Sequence, residues 1–526
     1  MLCSSAIRFD ARPRIRYAVA EKAREDELSY TRIVHAVLLA ALPCVASAQN
    51  PALPEVLRVT RYADDGNEGS LRFAIEASNR VPGRYRIEIE AVGSAPYVIK
   101  LNAPLPPVKG PASIEGGAWK KSGQFIILDG TGYIADMGPQ TCPGAVPGQF
   151  GANVRTTSYP GVALVDTNGV DISGLDIRNF CIGILIHRSS GNVVHDNRIV
   201  ANRGGAGVLI TGDDGNGSST ATTTLHNKVL RNEFLDNGDG AELTRGAAFN
   251  LVADNVFRST PANKEPSQGI EILEGHDNVL TGNRFEGYSD GVQINRGNRN
   301  YLGHNVFTDN TLGLSLSGHG NIIDGNTIYG NKVGIAVRPT ATGTVVRLQR
   351  NSVYDNGRDI SRCFAGGSCD PDLRRGGIVL GTPGPEHARY VGPRGIGVVV
   401  NPESLARICP DGAPNCQPLP NRGIAPPTIE RVQRGNGVVI VMGYLDGTPR
   451  SRFTIEIFGN RETGGTEGEV FLAADTSVAS NAAGRAAFSL TIPVTLRDAA
   501  LTSFTATVTS SEGGTSEFSK PVTLAE

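Results

Sequence analysis

The middle of this 526-residue chain is built from one repeated pattern. Each copy reads Asn, two mostly apolar residues, two further residues, a second Asn, any residue and an apolar residue. The second Asn recurs at intervals of 21 to 35 residues, which indicates a base period of about 22 with insertions. Six clear copies begin at Asn192, Asn227, Asn250, Asn278, Asn300 and Asn321, and a degenerate seventh contains Asn351.

A second pattern lies between the copies, a Gly followed by alternating apolar residues. Alternation with a period of two predicts short strands with one face turned inward. Three short strands and three turns in about 22 residues are typical of one coil of a parallel β-helix, whose coils stack about 4.8 Å apart. The strands are expected at Gly183, Gly207, Gly240, Gly269, Gly291, Gly313, Gly334 and Gly377.

The β-helix prediction also accounts for the composition. We expect Val, Ile, Leu and Phe to fill the interior in ladders, with Asn in left-handed backbone conformation at the corners and many of the 65 Gly at the bends. Right-handed winding follows the general preference of parallel crossovers. Leucine-rich repeats need an L-x-x-L-x-L spacing and propellers need about 40 residues per blade, and neither fits.

The flanks predict one domain on each side of the solenoid. Residues 49–110 are expected to form an N-terminal cap with a short helix that has Ser70 as its N-cap and buries Leu71, Ala74, Ile75 and Ser78. Residues 111–420 form the predicted β-helix. Residues 421–526 contain alternating segments divided by turns, which predict an antiparallel β-sandwich.

Residues 1–48 are predicted to be a leader. An apolar run at Ile33–Leu42 precedes Ala46-Ser47-Ala48, a pattern typical of signal-peptidase cleavage after Ala48. The run is too short to span a bilayer, and a buried core helix is the alternative. We therefore expect a secreted or surface protein without a transmembrane segment.

Six of the eight cysteines remain after removal of this leader. Cys363 with Cys369 and Cys409 with Cys416 are close in sequence and are expected to form local disulfides, which leaves Cys142 with Cys181. This connectivity is one of several that six cysteines allow. Zinc binding is the alternative, although no Cys-x2-Cys pair is present.

Several segments together resemble a known family. GSLRFAIEASN at Gly69, the Asn-rich coils, and NRGIAPPTI, GEVFLA and TSEFS near the C-terminus are similar to bacterial secreted right-handed β-helix proteins. These proteins begin with a CSLREA-type segment and end in an immunoglobulin-like module. Phe73 stands where that segment has Glu, and no Cys precedes Ser70. The resemblance implies a pectin-lyase-like fold and an extracellular protein, but no single reaction.

The strands predict one polar patch on a lateral face. The outward residue two positions after each Gly is polar only in the middle coils, where Glu242, Glu271 and Gln293 should stack. Two stacked carboxylates repel and raise one pKa, so Glu242 and Glu271 are the candidate acid/base pair. The candidate substrate-binding residues around them are Asp239, Arg245, Glu274, Asp290, Gln293, Asn295 and Arg296, with Asp239 and Asp290 at the preceding turns.

Three interpretations of this patch remain open: a polysaccharide-binding groove, a lyase or hydrolase site, and a structural Glu/Arg ladder on a solvated face. A non-catalytic adhesion module is the alternative to polysaccharide binding or cleavage. No cofactor motif is present, although acidic and amide clusters would suit Ca²⁺. A net charge of -2 provides no basic surface for nucleic acid, so the expected partner is a polysaccharide or cell-surface glycan.

Overall fold

The computed structural model describes residues 54–524 except 82, 135–141, 143–158, 213–222, 264–265, 341, 363–375, 382–418, 436 and 494–499. The predicted leader and the cysteines Cys363, Cys369, Cys409 and Cys416 lie outside these residues. In the described part, three long parallel sheets wind into a β-helix, which confirms the predicted fold class. No helix in this part is long and apolar enough to cross a membrane.

The three sheets are named A, B and C. Sheet A has strands at Glu55–Val59, Tyr85–Ile89, Ala112–Gly116, Val170–Ser173, Val193–His195, Lys228–Leu230, Leu251–Ala253, Val279–Thr281, Tyr301–Gly303, His319–Asp324 and Val345–Gln349. Sheet B has strands at Tyr97–Lys100, Ile126–Asp129, Leu175–Arg178, Arg198–Val200, Glu233–Leu235, Val256–Arg258, Arg284–Glu286, Val306–Thr308, Thr327–Tyr329 and Ser352–Tyr354. Sheet C has strands at Pro160–Val165, Ile182–His187, Ala206–Thr211, Asp239–Thr244, Gln268–Leu273, Asp290–Asn295, Leu312–Leu316, Val333–Val337 and Gly376–Leu380. A small parallel pair joins Thr224–Leu225 to Ala247–Ala248.

The interior is filled by ladders of like side chains. Phe234, Phe257, Phe285 and Phe307 are fully buried, and successive rings stack with centroids 4.3, 4.8 and 4.9 Å apart. These distances match the spacing between neighbouring strands, because each Phe occupies the same position in successive coils.

Buried Asn side chains form ladders at the corners. Asn255 Oδ1 accepts from both the backbone N–H of Asn232 (2.8 Å) and its Nδ2 (3.0 Å), while Asn255 Nδ2 donates to Val229 and to the next Asn. The prediction of left-handed backbone at these Asn residues was wrong. The left-handed residue is the one before the Asn, for example Arg231 (φ 51°) and Asp254 (φ 58°), because that turn directs the Asn side chain into the stack.

The helix predicted near the N-terminus is present, with the expected N-cap and buried face. The helix Leu71–Arg80 begins after Ser70, whose side chain accepts from the backbone N–H of Phe73 (3.2 Å). Its buried residues are Leu71, Ala74, Ile75 and Ser78, and it packs on the first two strands of sheet A. A second, short helix spans Trp119–Ser122. The predicted disulfide between Cys142 and Cys181 is present.

The C-terminal region contains two antiparallel sheets that fit a sandwich. One contains Thr428–Gly435, Val438–Asp446 and Arg485–Pro493, and the other contains Val470–Ala479, Arg452–Asn460, Ser503–Ser510 and Val522–Thr523. A short 3-10 helix at Pro420–Gly423 leads into them. The sheets enclose their own buried core.

The C-terminal region also covers the last coil of the solenoid. In sheet A, the backbone N–H of Val346 donates to Asn421 Oδ1 (2.7 Å), and the backbone N–H of Leu348 donates to Thr515 Oγ1 (2.9 Å). In sheet B, Val353 pairs with Gly468. In sheet C, Leu380 donates to Glu517 Oε1 (2.9 Å). Each sheet therefore ends on a hydrogen-bonding group from the C-terminal region.

Candidate functional site

One column of side chains runs along the outer face of sheet C. The strand register pairs Leu209 with Glu242, Glu242 with Glu271, Glu271 with Gln293 and Gln293 with Ser315. The column continues to Ala336 and Val379 on one side and to Leu185 and Ala163 on the other. The structure therefore brings Glu242, Glu271 and Gln293 together on three successive coils, with apolar or small residues on both sides.

Sheet C has a second column of polar residues, which lie directly before the Gly of the strands. A Cβ on Gly240 would lie 2.5 Å from Cδ1 of the buried Phe257, so this position faces inward, as the buried Ala241 after it does. Two successive inward positions interrupt the alternation, so Asp239 and Glu242 lie on the same outer side, with carboxylate oxygens within 4.8 Å of each other. Asp239 and Asp290 are thus the first residues of strands and not turn residues, which corrects the sequence prediction.

Asp239, Glu242, Glu271 and Asp290 form a group called here the acidic cluster, and all four side chains are buried. The exposed fraction is 0% for Glu242, 3% for Asp239, 4% for Asp290 and 9% for Glu271. A solvated Glu/Arg ladder, one of the three interpretations of the sequence, does not match the burial of these four carboxylates. Burial of four acidic groups is costly unless protons, cations or hydrogen bonds compensate their charge.

Asp290 shows how the cluster handles this charge. Burial raises the pKa of its carboxyl group, and the nearby charge of Glu271 adds to the rise, while Arg338 and hydrogen bonds from Gln293 and Ser289 act in the opposite direction. Gln293 Nε2 donates to Asp290 Oδ2 at 2.9 Å. Asp290 therefore holds its proton to a higher pH than an ordinary Asp, as a proton donor needs to do.

The remaining predicted residues lie at the end of the same strands. Arg245 Nε donates to Glu274 at 2.9 Å, and Arg296 Nη2 contacts the other oxygen of Glu274 at 2.9 Å. Glu274 and Arg296 have left-handed backbone (φ 57° and 56°) at the corner after the strand. Asn295 is the partly exposed last residue of its strand. These residues form an Arg-Glu-Arg ladder beside the buried carboxylates.

Three residues were missed as site members. Gln268 begins the middle strand of the cluster, and its backbone N–H donates to Asp239 Oδ1 at 3.0 Å. The signal for it was its position directly before Gly269, which matches Asp239 and Asp290. Ser315 and Arg338 are the other two. Ser315 could have been found because it continues the column of Glu242. Arg338 could not, because its position relative to Asp290 depends on side-chain geometry.

Asp239, Glu242 and Glu271 could share a cation. One oxygen from each lies within 4.8 Å of the other two, and no second group of three His, Cys, Asp or Glu side chains in the described ranges meets this criterion. Carboxylate oxygens are ligands that Ca²⁺ and Mg²⁺ prefer. Ca²⁺ binding has a plausible ligand set here and stays a prediction.

Comparison with known proteins gives the chain a family. It is 49% identical over 491 residues to the 3-dehydroshikimate dehydratase of Acinetobacter baylyi, which covers 93% of this chain and 98% of that protein. The chain belongs to the family of this dehydratase. Residues 149–264 and 244–362 also match the family model described as periplasmic copper-binding protein (NosD).

Solved structures with similar folds are more distant. The polygalacturonase of Erwinia carotovora ssp. carotovora is 13% identical with a TM-score of 0.33, and the match covers 59% of this chain and 78% of that one. The periplasmic alginate epimerase AlgG is 16% identical with a TM-score of 0.30, and the match covers 51% and 59%. These likenesses concern the fold alone.

The name of the matched family model raises the question of copper. Copper sites in proteins use Cys, Met and His ligands. The candidate ion-binding group in the described residues contains only carboxylates, Asp239, Glu242 and Glu271. This ligand set does not fit copper.

Proposed function

We propose that this chain is a dehydratase that removes water from 3-dehydroshikimate or a closely similar ring carboxylate, at the buried carboxylates of sheet C. The 49% identity to a 3-dehydroshikimate dehydratase, over 98% of that protein, carries the proposal. Nearly full-length similarity at this level includes the coils that hold the cluster.

The chemistry of this substrate calls for an acid and a base. 3-Dehydroshikimate is a cyclohexene carboxylate with a ketone, and a ring hydroxyl two carbons from the ketone makes it a β-hydroxyketone. A base removes the proton from the carbon between these groups, and the C–O bond to the hydroxyl breaks as the new C=C bond forms. The hydroxyl takes a proton from an acid and leaves as water, and tautomerisation of the dienone gives an aromatic dihydroxybenzoate.

The cluster offers both groups. Glu242 and Glu271 supply the base in this proposal, and Asp290 supplies the proton because burial raises the pKa of its carboxyl group. Gln293 bonds to Asp290 and orients it. The partly exposed Gln268, Gln293 and Asn295 form the edge through which a small molecule reaches the acids.

Burial also favours a small substrate over the polysaccharide expected from the sequence. A polymer needs an open groove several sugar units long, whereas the carboxylates here are at most 9% exposed. Enclosure is typical of sites for small molecules. Polysaccharide cleavage therefore becomes the alternative outcome of the test below.

We further propose that the reaction takes place outside the cytoplasm. The predicted leader at residues 1–48 supports export. The disulfide between Cys142 and Cys181 supports it as well, because disulfides persist in oxidising compartments.

The test is turnover by the purified protein without residues 1–48. We expect conversion of 3-dehydroshikimate to dihydroxybenzoate, measured by chromatography. Glu242→Gln and Glu271→Gln should each lower kcat by about 100-fold or more, since each removes a carboxylate from proton transfer. Glu286→Gln is the matched control, because Glu286 is a strand glutamate of sheet B that pairs with Arg284.

Two results would contradict the proposal. One is turnover of a uronate or neutral glycan with none of 3-dehydroshikimate. The other is a normal rate in both the Glu242→Gln and Glu271→Gln proteins, which would move the reaction away from this cluster.

A further inference from the structure

We propose that Arg338 and Ser315 form an anion subsite that binds the carboxylate of the substrate beside the acidic cluster. The inference rests on the proposed function, because it assigns a place to one group of a ring carboxylate. It adds a binding site on the two coils that follow the acidic ones.

Ser315 is the first indication of this subsite. Its side chain is fully buried, and its hydroxyl has no hydrogen-bond partner in the described part of the chain. A buried hydroxyl that gives up water without a replacement partner costs free energy. Such a group is expected where a ligand supplies the missing partner.

Arg338 is the second indication. It follows the strand Val333–Val337, and its backbone N–H donates to Leu316 at 2.7 Å. Its Nε is buried without a hydrogen-bond partner among the described residues. Ala336 pairs with Ser315, and Arg338 is two residues after Ala336, so the side chains of Ser315 and Arg338 both leave the outer face of sheet C. The charge of Arg338 also acts on the buried carboxyl group of Asp290.

Two other arginines at the ends of the cluster strands are already engaged. Arg245 and Arg296 both contact Glu274. Arg338 has no ion pair with any residue in the described ranges. Arginine binds a carboxylate through two parallel hydrogen bonds, so a guanidinium that has no ion pair among the described residues suits the carboxylate of a ring substrate.

The spacing along the face agrees with a small ring. Ser315 pairs with Gln293, and Gln293 pairs with Glu271. Adjacent strands are about 4.8 Å apart, so the Ser315 and Glu271 backbones are about 10 Å apart. A carboxylate held near Ser315 would direct the rest of a six-membered ring over Gln293 toward Glu271 and Asp290.

Small residues leave room for this arrangement. Ser315 is followed in the column by Ala336, whereas the column on the other side of the acids contains Leu209 and Leu185. These leucines pack with Ile182 and Ala206 in a separate apolar cluster. The polar end of a ligand is therefore expected on the Ser315 side.

The experiment compares two ligands that differ only in the carboxylate. Binding of 3,4-dihydroxybenzoate and of catechol, the same ring without the carboxylate, is measured by calorimetry, independently of turnover. We expect Arg338→Gln to weaken dihydroxybenzoate binding by 10-fold or more and to leave catechol binding unchanged. Arg338→Lys should recover part of the loss.

Kinetics and stability separate binding from a structural role. Arg338→Gln should raise KM for 3-dehydroshikimate and change kcat by less than a few fold, because the carboxylate takes no part in the proton transfers. Ser315→Ala should raise KM without lowering the melting temperature, since it removes a buried hydroxyl that has no partner in the described residues.

Arg203 provides the matched comparison. Its Nε also lacks a partner among the described residues, but Arg203 lies on the coil before Asp239. Arg203→Gln should leave dihydroxybenzoate binding unchanged. The subsite is refuted if Arg338→Gln weakens both ligands equally or if Arg203→Gln alone weakens dihydroxybenzoate. Absence of turnover together with carboxylate-dependent binding at Arg338 would overturn the dehydratase proposal and leave the subsite standing.

Discussion

Asp290 illustrates how a single residue acquires its chemistry from its surroundings. The carboxyl group is held at 4% exposure beside Glu271, and both burial and the neighbouring charge favour its protonated form. Arg338 counteracts this effect without abolishing it. The proton affinity of the side chain therefore depends on contributions from three different coils.

The raised pKa of Asp290 predicts an alkaline limit to activity. An acid catalyst works only while protonated, so kcat/KM should fall as the pH rises through the pKa of Asp290 in the folded protein. Asp290→Asn should lower kcat by about 100-fold or more, and its residual rate should lack this alkaline fall. Rate profiles from pH 5 to 10 for both proteins measure it. An alkaline limb that persists in the Asn variant would exclude Asp290 as the acid.

The sequence predicted part of this site. Alternation with a period of two was enough to place Glu242, Glu271 and Gln293 on one outward column, because each strand has the same register relative to its Gly. The two successive inward positions at Gly240 and Ala241 were not predictable from alternation, since they break that period. Burial of the column and the position of Arg338 depend on contacts between distant coils, which a local pattern does not contain.

At the scale of single elements, each coil depends on side-chain hydrogen bonds at its corners. Asn255 accepts two hydrogen bonds from Asn232 and donates to the backbone carbonyls of Val229 and Ala253. The repeat predicted which residues stack. It did not predict that the preceding residue takes the left-handed conformation, because that depends on which way the side chain must point.

Removal of one ladder residue should be costly. Asn255→Ala leaves the backbone N–H of Asn232 buried without an acceptor and removes the side-chain hydrogen bonds to Val229 and Asn283. Each buried group that loses its partner costs about 1 to 3 kcal/mol. We expect the free energy of unfolding to fall by about 3 kcal/mol or more, measured by urea denaturation. Asn298→Ala is the control, because Asn298 accepts a hydrogen bond from the exposed His319 and should cost less than about 1 kcal/mol. Equal losses in the two variants would refute a special role for the buried ladder.

At the scale of the whole molecule, the C-terminal region supplies acceptors that the next coil would otherwise provide. Glu456 accepts from the backbone N–H of Arg350 at 2.9 Å, and Glu467 accepts from that of Asn356 at 3.1 Å. Glu456 is only 4% exposed. Burial raises the pKa of its carboxyl group to about 7, with the charge of Asp324 adding to the rise and the Arg350 N–H opposing it.

This interface predicts a pH-dependent stability. A folded-state pKa of about 7, against an ordinary value of 4.5, corresponds to a contribution of about 3 kcal/mol to the free energy of unfolding. Because the pKa is raised, this contribution is present below pH 4.5 and is lost as the pH rises through about 7. Glu456→Gln keeps an acceptor for Arg350 without the charge, so its stability should decline less between pH 5 and 8.

Urea denaturation at several pH values measures this difference, and Glu430→Gln, at an exposed strand position of the same region, serves as the control. Parallel stability curves for the wild type and Glu456→Gln would contradict the assignment.

The domain order was predictable from the sequence, but this capping was not. Alternating segments indicated a sandwich after the solenoid, whereas the residues that complete the last coil, such as Asn421, Thr515 and Glu517, are distant from it in sequence. No periodic pattern in the sequence marks these residues, because none of them recurs at equivalent positions of a repeat.

The capped end has a consequence for self-association. The last strand of each sheet in an open solenoid has unpaired backbone groups, which can pair with the strands of a second molecule. The C-terminal region bonds to the last strand of all three sheets in this protein. Because these strand edges are already paired, they are not open templates for the strands of a second molecule.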